Sequence, residues 1–214
     1  MDNPIKIKVC GMRDRQNIEQ LVKLKPHYIG FIFYNKSPRY AGSILTPETA
    51  MAIPETIKKT GVFVNADIKT IKATCQRFNL QVAQLHGKET PEHCMEIRRA
   101  GYEVIKAFSL KQPSDLDDVL TYNNACDFFL FDTPTDKHGG SGEKFDWSVL
   151  NNFNEEKPFF LSGGIEEADS QSIRHNCPYR PYAVDINSRF EVSPGLKNIE
   201  AVRRFMMAMK QKST

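Results

Sequence analysis

The sequence predicts a single (β/α)8 barrel that spans residues 1–214. Short runs rich in Val, Ile, Phe and Tyr alternate with helix-like segments, which is typical of parallel βα units. Eight such runs can be counted, and 214 residues shared among eight units give about 27 residues per unit, enough for a compact barrel. No linker rich in Pro, Gly or Ser divides the chain, so we expect one domain.

The predicted strands are short apolar runs, most of which end at polar residues. They lie at Ile5–Cys10, Tyr28–Phe33, Gly61–Val64, Val82–Leu85, Val104–Phe108, Phe128–Phe131, Phe159–Leu161 and Tyr182–Val184. The predicted helices follow them in turn, at Arg15–Lys23, Pro47–Ile53, Ile68–Phe78, Pro91–Ala100, Pro113–Thr121, Trp147–Phe153, Ala168–His175 and Ile199–Lys210. Thr46 and Thr90 each precede a proline, a pattern in which Thr caps the helix and Pro takes its first position.

Composition excludes several classes of protein. The net charge of +3 comes from basic residues spread along the chain, without the concentrated stripe that nucleic-acid binding requires. No apolar run approaches the roughly 20 residues of a membrane-spanning helix. The N-terminus has an acidic residue where a signal peptide carries basic ones, so we expect a cytoplasmic protein.

The five cysteines are odd in number, scattered and never spaced as CxxC. Neither a disulfide framework nor a zinc site is therefore expected, and we predict reduced thiols and no metal.

Polar side chains follow the predicted strands at the end where a barrel builds its active site, since catalytic groups there lie on the loops that follow the strands. We expect these residues to meet at one rim: Cys10, Arg39, Asn65, Gln84, His86, Asp132, Gly163, Gly164, Asp185, Asn187 and Ser188.

Two of these residues are candidates for proton transfer, and each has an alternative role. Free cysteine is often a small buried hydrophobe, so Cys10 is either a packing residue or a working thiol. Asp132 closes the apolar run "FFLF" and is either a helix cap or ion-pair partner, or a catalytic carboxyl group. An apolar wall would raise its pKa and make it a general acid.

The remaining candidates fit binding roles. The planar fork of Arg39 suits a carboxylate or phosphate, the alternative being a solvated surface residue. His86 is an acid, a base or an orienting donor, or else a structural histidine. Asn65 and Gln84 either orient a substrate or satisfy backbone groups.

Two glycine clusters follow strands. "SGG" at residues 162–164 lies where barrels hold phosphate on backbone N–H groups, although adjacent glycines also form plain turns. "GGSG" at Gly139–Gly142 lies in a long loop from Thr133 to Asp146, which is either a mobile lid or a surface excursion.

The motifs, taken in order, resemble a known family. "KVCGMRD", "GFIFYNKSPRY", "GVFVN", "QLHG", "FDT…GGSGEKFDW", "LSGGI" and "AVDINS…E.SPGLK" extend over nearly the whole chain. In this order and spacing they resemble the phosphoribosylanthranilate isomerase family of tryptophan biosynthesis. The resemblance implies a (β/α)8 barrel without metal or organic cofactor that acts on a phosphorylated sugar–anthranilate substrate. We expect a monomer or homodimer.

The resemblance also implies roles for individual residues. Asp132 matches the general acid and Cys10 the general base of an Amadori rearrangement. Arg39 would meet the anthranilate carboxylate, Asp185 the sugar hydroxyls or the anthranilate nitrogen. His86 and Gln84 would contact substrate as well. The phosphate would lie on the loops that contain Gly163, Gly164, Asn187 and Ser188.

One position departs from the family's pattern, because Arg189 stands where a glycine is common. If that turn needs a positive φ, a non-glycine residue is sterically limited and the phosphate contacts change. Two other functions remain open. One is another phosphate-binding barrel enzyme such as indole-3-glycerol-phosphate synthase, which is expected to use a lysine acid. The other is a barrel that binds a phosphorylated metabolite without catalysis.

Overall fold

Eight parallel strands close into a barrel in the computed structural model, which describes residues 4–133, 147–153 and 157–210. Each strand pairs with the next along the chain, and the eighth pairs with the first. The predicted (β/α)8 class is therefore confirmed. The strands are β1 Lys6–Val9, β2 Tyr28–Ile32, β3 Lys58–Phe63, β4 Val82–Leu85, β5 Glu103–Ser109, β6 Phe128–Asp132, β7 Phe159–Leu161 and β8 Ala183–Ile186.

The α-helices of the described residues follow the strands as expected. They are α1 Arg15–Lys23, α2 Pro47–Met51, α3 Ile68–Arg77, α4 Pro91–Arg99, α5 Leu116–Leu120, α6 Ser170–His175 and α7 Ile199–Lys210. The predicted Thr caps are present, since Thr46 accepts a hydrogen bond from the backbone of Thr49, and Thr90 from that of His93. None of the described helices is long and apolar enough to cross a membrane.

The structure corrects several predicted boundaries. The segment predicted as a helix at Trp147–Phe153 forms a 3-10 helix at Trp147–Asn152. Parts of two other predicted helices are also 3-10 helices, at Pro113–Asp115 before α5 and at Glu167–Asp169 before α6. Strand β3 begins three residues earlier than predicted, because its first residues are hydrophilic and hide the strand pattern.

A small hairpin between β8 and α7 was not predicted. A 3-10 helix at Ser188–Phe190 leads into two antiparallel strands, β9 Glu191–Ser193 and β10 Leu196–Lys197. Such short strands give too little periodic pattern to be recognised in a sequence. The hairpin brings Glu191 and Lys197 back to the rim of the barrel.

Side chains inside the barrel form layers, because residues two apart on a strand point to the same face. The lower layer is an apolar cluster separate from the main core between strands and helices. It comprises Tyr28, Val82, Ile105, Ala107, Leu130, Phe160 and Ala183. Moving two residues further along the strands from Val82, Leu130 and Ala183 reaches Gln84, Asp132 and Asp185, so the interior becomes polar toward the carboxyl ends of the strands.

Candidate active site

A buried lysine, Lys8, organises the middle of the barrel. Its side chain is fully buried, and its Nζ donates hydrogen bonds to Gln84 Oε1 and to Asp185 Oδ2, both at 2.6 Å. Burial acts to lower the pKa of Lys8, but the Asp185 carboxylate and Cys10 outweigh it and hold that pKa above its ordinary value. Lys8 is therefore a charged group in the barrel interior.

Asp185, predicted as a substrate-binding residue, lies within β8 rather than in the loop that follows it. Its carboxyl group is buried, and burial raises its pKa against the opposing effect of Lys8. Oδ2 accepts from Lys8, whereas the buried Oδ1 has no hydrogen-bond partner among the described residues. A buried acceptor of this kind suits an N–H or O–H donor of a ligand.

Cys10 directly follows β1 and is 4% exposed. Cys75, Cys94 and Cys126 belong to the apolar core between strands and helices, but Cys10 belongs to neither apolar cluster of the described residues. A Cβ at Gly30 would lie 2.8 Å from Cys10 Sγ, so the absence of a side chain at Gly30 gives the thiol its room.

The surroundings of the Cys10 thiol are charged. Burial raises its pKa, and the positive charges of Lys8 and Lys197 oppose that rise. Cys75 has no such cations, and burial alone raises its pKa to about 12. Cys10 thus differs from Cys75 in having two buried cations that stabilise its thiolate.

His86 and Asp132 meet at the mouth of the barrel. His86 Nε2 lies 3.5 Å from Asp132 Oδ2, and both side chains are partly exposed. The other oxygen, Asp132 Oδ1, accepts a hydrogen bond from the backbone N–H of Thr133 at 2.8 Å. On the far side of the ring, His86 Nδ1 lies 3.0 Å from the amide nitrogen of Gln84.

Arg39 is 6% exposed, so it is not a solvated surface residue. Its Nε and Nη2 donate to the carboxylate of Glu191 at 2.7–2.9 Å, an ion pair in which Nη1 takes no part. Lys197 Nζ donates to the same carboxylate at 2.6 Å. Burial acts to raise the pKa of Glu191, but Arg39 and Lys197 outweigh it and lower that pKa.

With Lys197 protonated, the Arg39–Glu191–Lys197 cluster holds two cations and one anion, and therefore one net positive charge away from water. Burial lowers the pKa of Lys197 against the opposing effect of Glu191. A buried excess charge favours the approach of a counter-ion. Lys197 Nζ also donates to Asn187 Oδ1 at 2.7 Å. Gly11, at φ +77°, borders the cluster, and a Cβ there would lie 2.6 Å from Asn187 Oδ1 and 2.9 Å from Arg39 Cδ.

The two predicted phosphate loops follow β7 and β8. Gly163 and Gly164 both have positive φ, at +92° and +63°, in a turn that glycine adopts without strain. Ser188 begins the 3-10 helix that contains Arg189, and the Arg189 side chain is exposed. Arg189 is not among the described residues with positive φ, so an arginine in place of the family's common glycine causes no backbone strain at this position.

Asn65 satisfies backbone groups, one of its two predicted alternatives. Its Oδ1 accepts from the backbone N–H of Lys88 at 2.6 Å, while its own backbone N–H donates to the carboxylate of Glu89. Glu89 also forms a buried ion pair with Lys106 at 3.2 Å. These contacts shape the loop that follows β4, directly after His86.

The "GGSG" cluster at Gly139–Gly142, predicted as a lid or a surface excursion, lies outside the described residues. Within residues 4–133, 147–153 and 157–210, no group of three or more His, Cys, Asp or Glu side chains could hold a metal ion.

Three residues of the site were not singled out from the sequence. Lys8 stands two residues before Cys10, a spacing that places both on one face of a strand. Glu191 and Lys197 belong to the quoted segment "E.SPGLK" but had no assigned role. The alternation of β1 could have identified Lys8, whereas the partners of Glu191 depend on the fold of the hairpin.

Comparisons with known proteins agree on one family for this chain. Residues 7–208 match the model of the N-(5'-phosphoribosyl)anthranilate (PRA) isomerase family. The chain is 42% identical to N-(5'-phosphoribosyl)anthranilate isomerase of Parabacteroides distasonis, covering 94% of this chain and 91% of that protein.

Solved structures agree with this match. Phosphoribosyl anthranilate isomerase from Thermotoga maritima superposes with a TM-score of 0.84 at 32% identity, over 96% of this chain and 98% of the other. A structure described as mutually generated monomers of the dimeric enzyme from that organism gives a TM-score of 0.81 at 30% identity, with the same two coverages. A phosphoribosyl anthranilate isomerase in complex with reduced 1-(o-carboxyphenylamino)-1-deoxyribulose 5-phosphate gives a TM-score of 0.82 at 30% identity, again over 96% of this chain and 98% of the other. This chain therefore belongs to the N-(5'-phosphoribosyl)anthranilate isomerase family.

Proposed function

We propose that this protein catalyses the Amadori rearrangement of N-(5-phosphoribosyl)anthranilate to 1-(2-carboxyphenylamino)-1-deoxyribulose 5-phosphate, a step of tryptophan biosynthesis. Family membership supports the reaction, and a related structure holds a reduced form of the product named here. The observation that carries the proposal is the environment of Cys10. This buried thiol lies beside Lys8 and outside both apolar clusters, as expected for a working group rather than a packing residue.

Asp132 is the proposed general acid. It transfers its proton to the ring oxygen of the furanose as the bond between C1 and that oxygen breaks, and the nitrogen lone pair forms the C1=N iminium. Asp132 is left as a carboxylate. The N–H of Thr133 at 2.8 Å and the facing ring of His86 support this carboxylate.

Cys10 is the proposed general base. Its thiolate removes the proton from C2, the C–H electron pair forms a C1=C2 double bond, and the iminium π electrons return to nitrogen. The resulting enolamine becomes the ketose when C1 gains a proton and the C2 hydroxyl loses one. Lys8 and Lys197 support the thiolate, since both positive charges oppose the effect of burial on Cys10. No cofactor takes part in these steps.

Three sets of residues would bind the substrate: one for the anthranilate carboxylate, one for a hydroxyl or N–H group, and one for the phosphate. The net positive charge of the Arg39–Glu191–Lys197 cluster suits the anthranilate carboxylate, and Arg39 Nη1 lies outside the ion pair with Glu191. Asp185 Oδ1 suits a sugar hydroxyl or the anthranilate N–H.

The phosphate is proposed to bind backbone N–H groups of the loops that contain Gly163 and Gly164, and Asn187 and Ser188. For Asn187 the backbone is the better candidate, because its side-chain oxygen already accepts from Lys197. We further propose a cytoplasmic location, a monomer or homodimer, and no nucleic-acid or membrane partner.

The direct test is an assay of the unmodified chain with N-(5-phosphoribosyl)anthranilate, whose fluorescence disappears as it is converted. We expect turnover without added metal or cofactor. Indole-3-glycerol-phosphate synthase activity is measured in parallel on the carboxyphenylamino-deoxyribulose phosphate. Binding of the anthranilate substrate without its conversion would favour a non-catalytic barrel and refute the proposal.

A further inference from the structure

The amide of Gln84 has only one chemically possible orientation. Gln84 is buried, with Lys8 Nζ 2.6 Å from one end of its amide and His86 Nδ1 3.0 Å from the other. An ammonium group has donors and no acceptor, so the atom facing Lys8 must be the oxygen. The NH2 group must therefore face the histidine ring.

This orientation determines which ring nitrogen of His86 carries the proton. The NH2 group of Gln84 donates, so His86 Nδ1 must accept and cannot carry a hydrogen. In a neutral imidazole one nitrogen is protonated and the other is not. The hydrogen therefore lies on Nε2, the atom that faces Asp132 Oδ2 at 3.5 Å.

Lys8 is held firmly enough to impose this order. It is fully buried, and its ammonium group donates to Asp185 Oδ2 at 2.6 Å. Asp185 lies on β8, which pairs with β1 on the side away from β2. Turning the Gln84 amide by 180° would place its NH2 group against the ammonium and leave a buried oxygen facing Nδ1. The hydrogen bond with Lys8 would then be lost whichever tautomer His86 adopted, and an unsatisfied buried polar group costs about 1–3 kcal/mol.

We propose that Lys8, acting through the Gln84 amide, fixes the tautomer of His86 so that its Nε2–H is presented to the carboxyl group of Asp132. Lys8 and Gln84 are then positioning residues. Gln84 contacts the His86 ring directly, and Lys8 contacts it only through Gln84. The tautomer follows from the contacts alone, whereas its catalytic meaning rests on the proposed role of Asp132.

The consequence for catalysis concerns the carboxylate that Asp132 becomes after it gives up its proton. With the hydrogen on Nε2, His86 offers this carboxylate a second donor beside the N–H of Thr133. With the opposite tautomer, a nitrogen lone pair would face the carboxylate and repel it. Catalytic hydrogen bonds are often long in the unliganded enzyme and shorten with substrate bound, which fits the 3.5 Å separation.

The tautomer can be read directly by NMR of the full chain labelled with 15N-histidine. Ring nitrogen shifts, and their couplings to the carbon-bound ring hydrogens, distinguish the two neutral forms. The chain has five histidines, and the spectrum of His86→Gln identifies the signals of residue 86. At a pH where the ring is neutral we expect the hydrogen on Nε2, and a wild-type ring with the hydrogen on Nδ1 would overturn the proposal without any variant.

Gln84→Glu replaces the NH2 donor that faces His86 by a carboxylate oxygen, and the shape of the side chain is nearly unchanged. Its carboxylate accepts from Lys8 with one oxygen and can only accept with the other, so we expect the His86 hydrogen to move to Nδ1. Gln81→Glu is the matched control. Gln81 lies just before the same strand, bonded to the backbone of Lys59 and Asn79, and its replacement should leave the ring of His86 unchanged.

Activity gives a separate readout. If Asp132 is the general acid, Gln84→Glu should lower kcat by about tenfold or more, part of the usual contribution of a proton-transfer group, with KM little changed. A Gln84→Glu protein that keeps the hydrogen on Nε2 refutes the role of Gln84. A shifted tautomer with unchanged kcat instead refutes the link to Asp132, and absence of any isomerase activity in the wild type refutes only the proposed function.

Discussion

Arg39 and Glu191 form a bidentate ion pair that is shielded from water, joining the loop after β2 to the hairpin before α7. The two residues are 152 positions apart in the sequence. Lys197 shares the same carboxylate, so one anion lies between two cations. Removing that anion would leave two buried positive charges side by side, the arrangement that proteins tolerate least.

We therefore expect Glu191→Gln to destabilise the fold by about 3–5 kcal/mol, the usual cost of breaking a buried ion pair. Urea unfolding measures this loss. The matched control is Glu167→Gln, which breaks a bidentate pair with Arg204 at 2.6 and 2.8 Å, with side chains that are 38% and 61% exposed respectively. Because water screens that pair, its loss should destabilise the fold far less. Equal losses in the two variants would mean that the Glu191 cluster behaves as a surface pair.

Cys10→Ala should lower kcat by about 10² or more, the scale of a lost proton-transfer group, while the protein stays folded. Cys75→Ala removes a thiol that is equally buried but lies in the apolar core, and it should keep near wild-type turnover. Fluorescence assays and circular dichroism of both variants make the comparison. Similar turnover in the two would return Cys10 to the role of a packing residue.

Asp132→Asn should also lower kcat by about 10² or more, because an amide cannot supply the proton that opens the furanose. Its side-chain oxygen can still accept the N–H of Thr133, so the local fold should persist. Asp127→Asn, just before the opposite end of β6, changes a residue that bonds the Val104 backbone and Arg98. Its turnover should stay close to that of the wild type, and an Asp132→Asn enzyme equally active would exclude the acid role.

The pH dependence of thiolate absorbance should report the Cys10 thiol. Burial raises the pKa of Cys10 above its ordinary value, so the thiol is largely protonated at neutral pH. The thiolate fraction rises about tenfold per pH unit below the pKa, so the thiolate signal of Cys10 should grow as pH increases from 7. The difference in ultraviolet thiolate absorbance between the wild type and Cys10→Ala, recorded against pH at constant ionic strength, gives this titration. A difference signal that is already complete at pH 7 contradicts a thiol of raised pKa.

Much of the fold was predictable because each element has a local signal. The alternation of apolar runs and capped helices identified all eight strands, and Thr46 and Thr90 marked helix starts correctly. Predictions failed where that signal is weak. The hydrophilic start of β3 hid the strand, and the short strands of the hairpin carry no pattern of their own.

The sequence by itself determined the barrel, the family resemblance and the positions of Cys10 and Asp132 near strand ends, since strand periodicity and motif order are written along the chain. Only the tertiary structure decided which side chains meet. Lys8 reaches Gln84 and Asp185 from 76 and 177 residues away. Such contacts depend on how the strands are staggered when the sheet closes, and that stagger is a property of all eight strands together.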